Sequence, residues 1–141
     1  MSLLEQMYKE ILLEHQKRPR NLGQLENKTH AEEGHNPSCG DKLELQLRLE
    51  NNTIAEVRFL GQGCTISQAS ASLMTVAITG KTVTQALEIA NAFGIMLRTG
   101  QPDSSLGDLN ALVGVAKLHT RVKCATLAWQ TLEVALGNQQ R

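Results

Sequence analysis

The 141 residues balance 14 basic against 14 acidic side chains for a formal net charge of zero. No Lys/Arg block is long enough to bind a phosphate backbone, and an aromatic content of 3% leaves too little surface for stacking bases, so no nucleic-acid partner is expected. No stretch approaches the roughly 20 apolar residues of a membrane span, and Met1 to Glu10 mixes acids with apolar positions, so a single cytoplasmic domain, residues 1–141, with no membrane partner is expected.

With so few aromatic rings, the core is expected to consist of Leu, Ile, Val and Ala. Leu3, Leu4, Met7, Tyr8, Ile11 and Leu12 follow helical spacing, and the helix should stop before Pro19, because proline disfavours helical geometry in the residue before it. The basic run from Glu14 to Asn21 suits a helix end. Asn21 to Asn36 is polar and aperiodic, a loop with a short strand near Thr29 to Glu32.

Leu43, Leu45, Leu47 and Leu49 alternate with polar residues and form a half-buried strand. After Asn51-Asn52-Thr53 a second alternating run carries Ala55, Val57 and Phe59. Two such runs around an Asn-rich connection make a hairpin. Facing the two apolar sets puts Leu49 opposite Ala55, Leu47 opposite Val57 and Leu45 opposite Phe59. Continued outward, this register sets Cys39 opposite Thr65, one residue beyond Cys64, and a bulge at Gly61 or Gly63 could absorb the offset.

Ile66, Ala69, Leu73, Val76 and Ala77 then recur at helical spacing, with Thr65 or Ser67 as the cap and Gly80 as the stop. Cys64 would sit at this helix start, where unpaired amides and the dipole favour a negative sulfur. A further helix spans about Thr84 to Arg98, with Leu87, Ile89, Ala90, Phe93 and Leu97 inward. Thr99 to Ser105 has the composition of a mobile loop. Leu106 to Val115 is apolar, short and glycine-interrupted. The last helix carries Leu127, Ala128, Leu132, Val134 and Ala135, has Cys124 in its opening turn and ends at Gly137. The sum is an α+β fold: a small antiparallel β-sheet of about three strands packed against several helices.

Three cysteines in a reducing compartment do not suggest a disulfide framework. Asn36-Pro37-Ser38-Cys39-Gly40-Asp41 sets a thiol and a carboxylate on one turn. With Cys64 and Cys124 the chain offers three sulfurs and one oxygen, a donor set that suits tetrahedral zinc, while thiolates also suit iron-sulfur clusters. Zinc with these four ligands carries a formal charge of about −2, which Arg121 and Lys123 could offset. From spacing alone, three inert core cysteines and a turn-forming Asp41 remain open readings. His119 and His35 are further candidates, as a metal ligand and a proton acceptor, but no oxyanion motif accompanies them, and loop positions explain them as well.

Pro37-Ser38-Cys39-Gly40-Asp41, the run Gly61-Gln62-Gly63-Cys64-Thr65-Ile66-Ser67-Gln68-Ala69-Ser70-Ala71-Ser72, and Arg121-Val122-Lys123-Cys124-Ala125-Thr126-Leu127-Ala128-Trp129 together resemble the IscU/NifU-like proteins of iron-sulfur cluster assembly. The resemblance extends over nearly the whole chain. It is similar to the SufU-type branch in two respects. Lys123 stands where the scaffold branch has histidine, and Cys64 and Cys124 are 60 positions apart (124 − 64), with the extra length around Arg98 to Val113.

The resemblance implies a zinc (Zn2+) site formed by Cys39, Asp41, Cys64 and Cys124. It also implies a sulfurtransferase-like carrier role in which Cys39 accepts persulfide sulfur from a SufS-type cysteine desulfurase and passes it to a SufBCD-like assembly complex. The alternative is a scaffold that builds a transient [2Fe-2S] cluster from iron on the same ligands. Arg121 is the candidate partner of Asp41 or of a ligand sulfur.

Overall fold

In the computed structural model, which describes residues 2–137, the alternating leucines form the central strand of a three-stranded antiparallel sheet. Strands β1 (His30–Asn36), β2 (Asp41–Glu50) and β3 (Thr53–Gln62) are neighbours in space in their chain order. Leu45 pairs with Phe59 and Leu47 with Val57, as the alternation requires, and all four are fully buried.

The expected pairing of Leu49 with Ala55 is not found. The register slips between Arg48 and Leu49, so that Leu49 meets Ile54. The turn is the cause. Asn51 and Asn52 both adopt left-handed backbone, φ 51° and 66°, which makes a two-residue connection of the kind whose twist matches the flanking strands. Closing the hairpin this tightly leaves Ala55 as the extra residue of a bulge and turns Ile54 into the core. Pairing at the other end runs without a slip to Lys42 and Gln62, so no bulge forms at Gly61 or Gly63 and Cys39 never joins the ladder.

β1 is longer than the short strand expected near Thr29 to Glu32. Its inward positions are His30, Glu32, Gly34 and Asn36, which carry no apolar side chain and leave no hydropathy alternation to read. Gly34 is there because helix α4 comes close: a Cβ at that position would overlap the Thr131 hydroxyl and press on Leu127. The segment before β1 is more than a loop. Asn21 and Gly23 pair with Phe59 along the free edge of β3, and the Leu25 amide donates to the Gln46 carboxamide at 2.7 Å, burying that polar side chain with its acceptor filled.

Four α-helices accompany the sheet: α1 (Leu3–Lys17), α2 (Thr65–Ile78), α3 (Val83–Thr99) and α4 (Val122–Gly137). Helix α1 stops two residues before Pro19 as expected, but its first apolar residues do not form a buried face. Leu3, Leu4 and Met7 are half to three-quarters exposed, and the helix is held instead from its far end, where His15 is buried against Ser72 of α2. In α2 the run Ala69-Ser70-Ala71-Ser72 is fully buried, which small side chains make possible. Each serine has a partner: Ser70 donates to the Ala125 carbonyl of α4 at 2.6 Å, and Ser72 accepts from the Arg20 amide at 2.7 Å.

Val76, expected on the inner face of α2, is exposed, and Leu87 and Ile89 of α3 are only half-buried. The aliphatic core also has an aromatic centre. Phe93 stacks on Trp129 with ring centroids 4.8 Å apart, the Trp129 indole N–H donates to Ser70, and Phe59 is fully buried.

Residues Ser104–Lys117 form 3-10 helical turns interrupted at Gly107 (φ 53°), followed by a short turn at His119–Arg121. Leu106, Leu109, Leu112 and Val115 are buried. Their spacing of three matches the three residues per turn of this helix type and puts them on one face. The preceding break is closed by two reciprocal hydrogen bonds between Asp103 and Asn110, at 2.9 and 2.8 Å. Among the described residues no helix is long and apolar enough to cross a membrane.

Candidate metal centre

Each of the three cysteines stands at the edge of an element, and the fold brings those edges to one corner. Cys39 sits in the turn between β1 and β2, half-buried, with its amide bonded to the Asn36 carbonyl at 3.3 Å. Asp41 opens β2 and is fully buried. Cys124 lies in the first turn of α4, also fully buried.

Cys64 is itself the N-cap of α2, a role expected of Thr65 or Ser67. Its backbone is extended, φ −71° and ψ 164°, and its Sγ accepts from the Ser67 amide at 3.4 Å. The sulfur therefore occupies the place of a capping oxygen and lies where the unpaired amides of the helix favour negative charge.

Asp41 joins the two halves of the corner. Its Oδ1 accepts from the Cys64 amide at 2.8 Å, and its Oδ2 lies 3.9 Å from Cys64 Sγ. The close approach depends on Gly63. With φ 155° the chain turns out of β3 there, and a Cβ would collide with the Asp41 carboxylate. Gly61 serves the same approach one step earlier, since a Cβ would lie 2.7 Å from the Lys42 carbonyl oxygen. The two glycines expected to absorb a register offset thus act by giving room.

Cys39, Asp41 and Cys124 each place a ligand atom within 4.8 Å of the other two, and the Cys39 and Cys124 sulfurs are 3.0 Å apart. Cys64 lies outside that group of three and borders it through Asp41, its Sγ 3.9 Å from Oδ2. Burial, then the neighbouring Cys39, Cys64 and Asp41, pushes the Cys124 thiol well above its ordinary range. Among the described residues the buried Asp41 carboxylate forms no ion pair, an arrangement that a divalent ion offsets. The donors suit zinc: two sulfurs and one carboxylate oxygen lie within 4.8 Å of one another, and a third sulfur, that of Cys64, stands beside the carboxylate.

Arg121 is half-buried, and its Nη1 lies 4.0 Å from Cys124 Sγ. That contact, then the charge of Cys64, holds the guanidinium more firmly protonated than usual. Its contact is therefore the sulfur of a candidate ligand, Cys124, and not Asp41. Lys123, the other expected counter-charge, is exposed and makes no hydrogen bond or ion pair with the site, so solvent screens what it contributes. His119 is exposed in its turn. His35 pairs with Lys42 on the outer face of the sheet, lining a cleft of about 680 Å³ into which none of the four candidate ligands points. Asn36, part of the motif but given no role from the sequence, is buried opposite Asp41 in the last rung between β1 and β2.

Comparisons with known proteins agree with this geometry. The family model described as the NifU-like N-terminal domain matches residues 7–141. The chain is 40% identical over 139 residues to the zinc-dependent sulfurtransferase SufU of Bacillus subtilis, covering 97% of this chain and 94% of that protein. It is equally 40% identical over 139 residues to the iron-sulfur cluster assembly scaffold protein IscU of Streptococcus pyogenes, covering 96% and 86%. Among solved structures, a proposed iron-sulfur cluster assembly scaffold protein for the SUF system from Fervidobacterium islandicum AW-1 superposes with a TM-score of 0.86 at 37% identity, over 94% of this chain and 98% of that one.

Proposed function

The chain belongs to the NifU-like N-terminal domain family, and on that premise we propose that it is a zinc-dependent sulfur acceptor and carrier for iron-sulfur cluster assembly in the cytoplasm. Its donor would be a SufS-type cysteine desulfurase and its recipient a SufBCD-like assembly complex. The observation that carries the reading is the unequal fastening of the three sulfurs. Cys64 caps α2 and Cys124 lies in the first turn of α4, whereas Cys39 hangs from a turn; Cys39 and Cys64 are half-buried and Cys124 is buried, so it is the attachment to a helix that sets Cys39 apart from Cys64. The 40% identity to a zinc-dependent sulfurtransferase supports it.

Cys39, Asp41, Cys64 and Cys124 would hold the zinc, which supplies a cation that keeps buried sulfurs deprotonated at neutral pH. Cys39 Sγ attacks the outer sulfur of the donor's persulfide. A sulfur–sulfur bond forms on Cys39, the donor's own bond breaks, its cysteine leaves as a thiolate, and the proton of the transferred group passes to solvent. Asp41 stays behind, tied to the Cys64 amide, and Arg121 faces the negative charge that remains on Cys124.

A second reading has its own support, since the identity to a cluster-assembly scaffold protein is equally high. On that reading a transient [2Fe-2S] cluster is built on the same ligands. Lys123 in place of the scaffold branch's histidine favours the carrier.

Anaerobic incubation with a SufS-type desulfurase and cysteine, with and without ferrous iron, separates the two. The carrier reading expects an added sulfur on the Cys39 peptide by mass spectrometry, with zinc retained. A visible iron-sulfur chromophore that transfers to an apo-acceptor, with no persulfide on Cys39, would overturn it.

A further inference from the structure

The four candidate ligands are not equally supplied with hydrogen-bond donors. Asp41 Oδ1 accepts from the Cys64 amide at 2.8 Å and Cys64 Sγ from the Ser67 amide at 3.4 Å, while Cys124 Sγ faces Arg121 Nη1 at 4.0 Å. Among the described residues Cys39 Sγ has no N–H donor, and its polar contact is the Cys124 thiol at 3.0 Å. One donor in the same corner is unspent. Among the described residues, Asn36 Nδ2 is the buried side-chain polar atom that lacks a partner.

The placement of Asn36 connects the two observations. Asn36 is 6% exposed, and its orientation is set because Oδ1 accepts from the Ser38 amide at 3.3 Å, which a flipped carboxamide could not do. Its carbonyl accepts from the Cys39 amide, so Asn36 already ties down the turn that carries this cysteine. It is also the rung partner of Asp41. Directly opposed residues of an antiparallel pair project to the same face with Cβ atoms roughly 4.5–5.5 Å apart, which sets the carboxamide on the face where the ligands meet.

We propose that Asn36 is a positioning residue of the metal centre, whose Nδ2–H donates to Cys39 Sγ when zinc holds that sulfur as an anion. The proposal rests on the zinc reading of the site given above. Donation to the sulfur fixes the Cys39 side chain toward the metal and spreads its charge, as outer-sphere partners of metal ligands do. Cys39 is then held by a carboxamide of its own turn, as Cys64 is held by the Ser67 amide of its own helix start.

The test uses the full chain, stripped of metal and titrated with zinc. In 15N-labelled protein, one proton of the Asn36 carboxamide, assigned by its loss in Asn36→Ala, shifts downfield as zinc binds. In chelator competition, Asn36→Ala and Asn36→Asp both weaken zinc binding by roughly ten- to a hundredfold. Alkylation of Cys39 in the zinc-loaded protein becomes correspondingly faster. Asn36→Asp keeps the acceptor for the Ser38 amide, so zinc affinity lost only in Asn36→Ala would assign the residue to the turn alone and overturn the proposal. Loss confined to Asn36→Asp would report added charge and overturn it equally. If a variant does not fold, the carboxamide shift in the wild-type chain decides. A wild-type chain that binds no zinc refutes the zinc reading and this proposal with it, whereas zinc binding with the Asn36 protons unmoved refutes this proposal only.

Discussion

At the scale of single residues, the corner is built from side chains whose neighbours leave little freedom. Cys64 is both a candidate ligand and the cap of α2. Cys64→Ser keeps an oxygen able to cap the helix but removes a soft donor, so zinc content measured after gel filtration is expected to fall to near zero while helical circular dichroism persists. Retention of full zinc would exclude Cys64 from the ligand set. Gly63→Ala pushes a methyl group into the Asp41 carboxylate and should cost ~1–3 kcal/mol in urea unfolding, together with zinc affinity. The sulfurs were legible as candidates because the chain has only three cysteines, and the carboxylate because it stands two positions from one of them. The donors that serve them were not, since nothing in the order of residues says that Asn36 lies beside Asp41 or that Arg121 faces sulfur and Lys123 does not.

At the scale of elements, two junctions carry distinct expectations. Helix α1 is joined to α2 through His15 and Ser72, 2.7 Å apart. Burial, then Arg20, lowers the His15 pKa below its ordinary 6.5, against weaker opposing pulls from Asp108 and Glu14. A depressed value in the folded state means that the neutral ring is the one that fits. This contribution is present in full above the unfolded value near 6.5 and is lost as pH falls through the lower folded value. Thermal melts across that interval should show stability dropping with acid, and His15→Gln should flatten that part of the profile.

The second junction is the hairpin. Asn51 and Asn52 are both left-handed, so Asn52→Gly is expected to raise stability by up to about 1 kcal/mol in urea, because glycine pays no Cβ penalty at φ 66°. The hairpin itself was readable from its alternation, and the slip that replaced Ala55 by Ile54 was not. Hydropathy alternation gives each strand its faces, but the turn conformation sets where pairing begins. The leucine spacing of three between Leu106 and Val115 was present in the sequence and went unassigned, because 3-10 runs of that length are uncommon.

At the scale of the whole molecule, the candidate metal centre gathers the β1–β2 turn, the β3–α2 junction and the start of α4. An ion held there links segments far apart in sequence, so its removal acts on the entire fold. Binding to the folded state alone adds about 2.7 kcal/mol when free zinc is a hundred times its dissociation constant. A strong chelator is therefore expected to lower the melting temperature by several degrees, with zinc and not magnesium restoring it, since thiolates select the softer ion. Equal melting temperatures with and without chelator would mean that the site is not a folding constraint.

The order of residues alone determined the α+β class, the central hairpin and the inward faces of its two strands away from the turn, because these follow from periods of two and of about three and a half that each segment carries by itself. It also marked Cys39, Asp41, Cys64 and Cys124 as a possible donor set, through their chemistry and the family motifs. Only the tertiary structure decided that Cys39, Asp41 and Cys124 come within reach of one another, that Cys64 caps a helix with its sulfur beside Asp41, that two glycines clear the space there, and that Asn36 is buried opposite Asp41 with its amide nitrogen unpaired. Those are relations between residues up to 85 positions apart (Cys39 to Cys124), and they depend on distances that packing creates and local patterns do not encode.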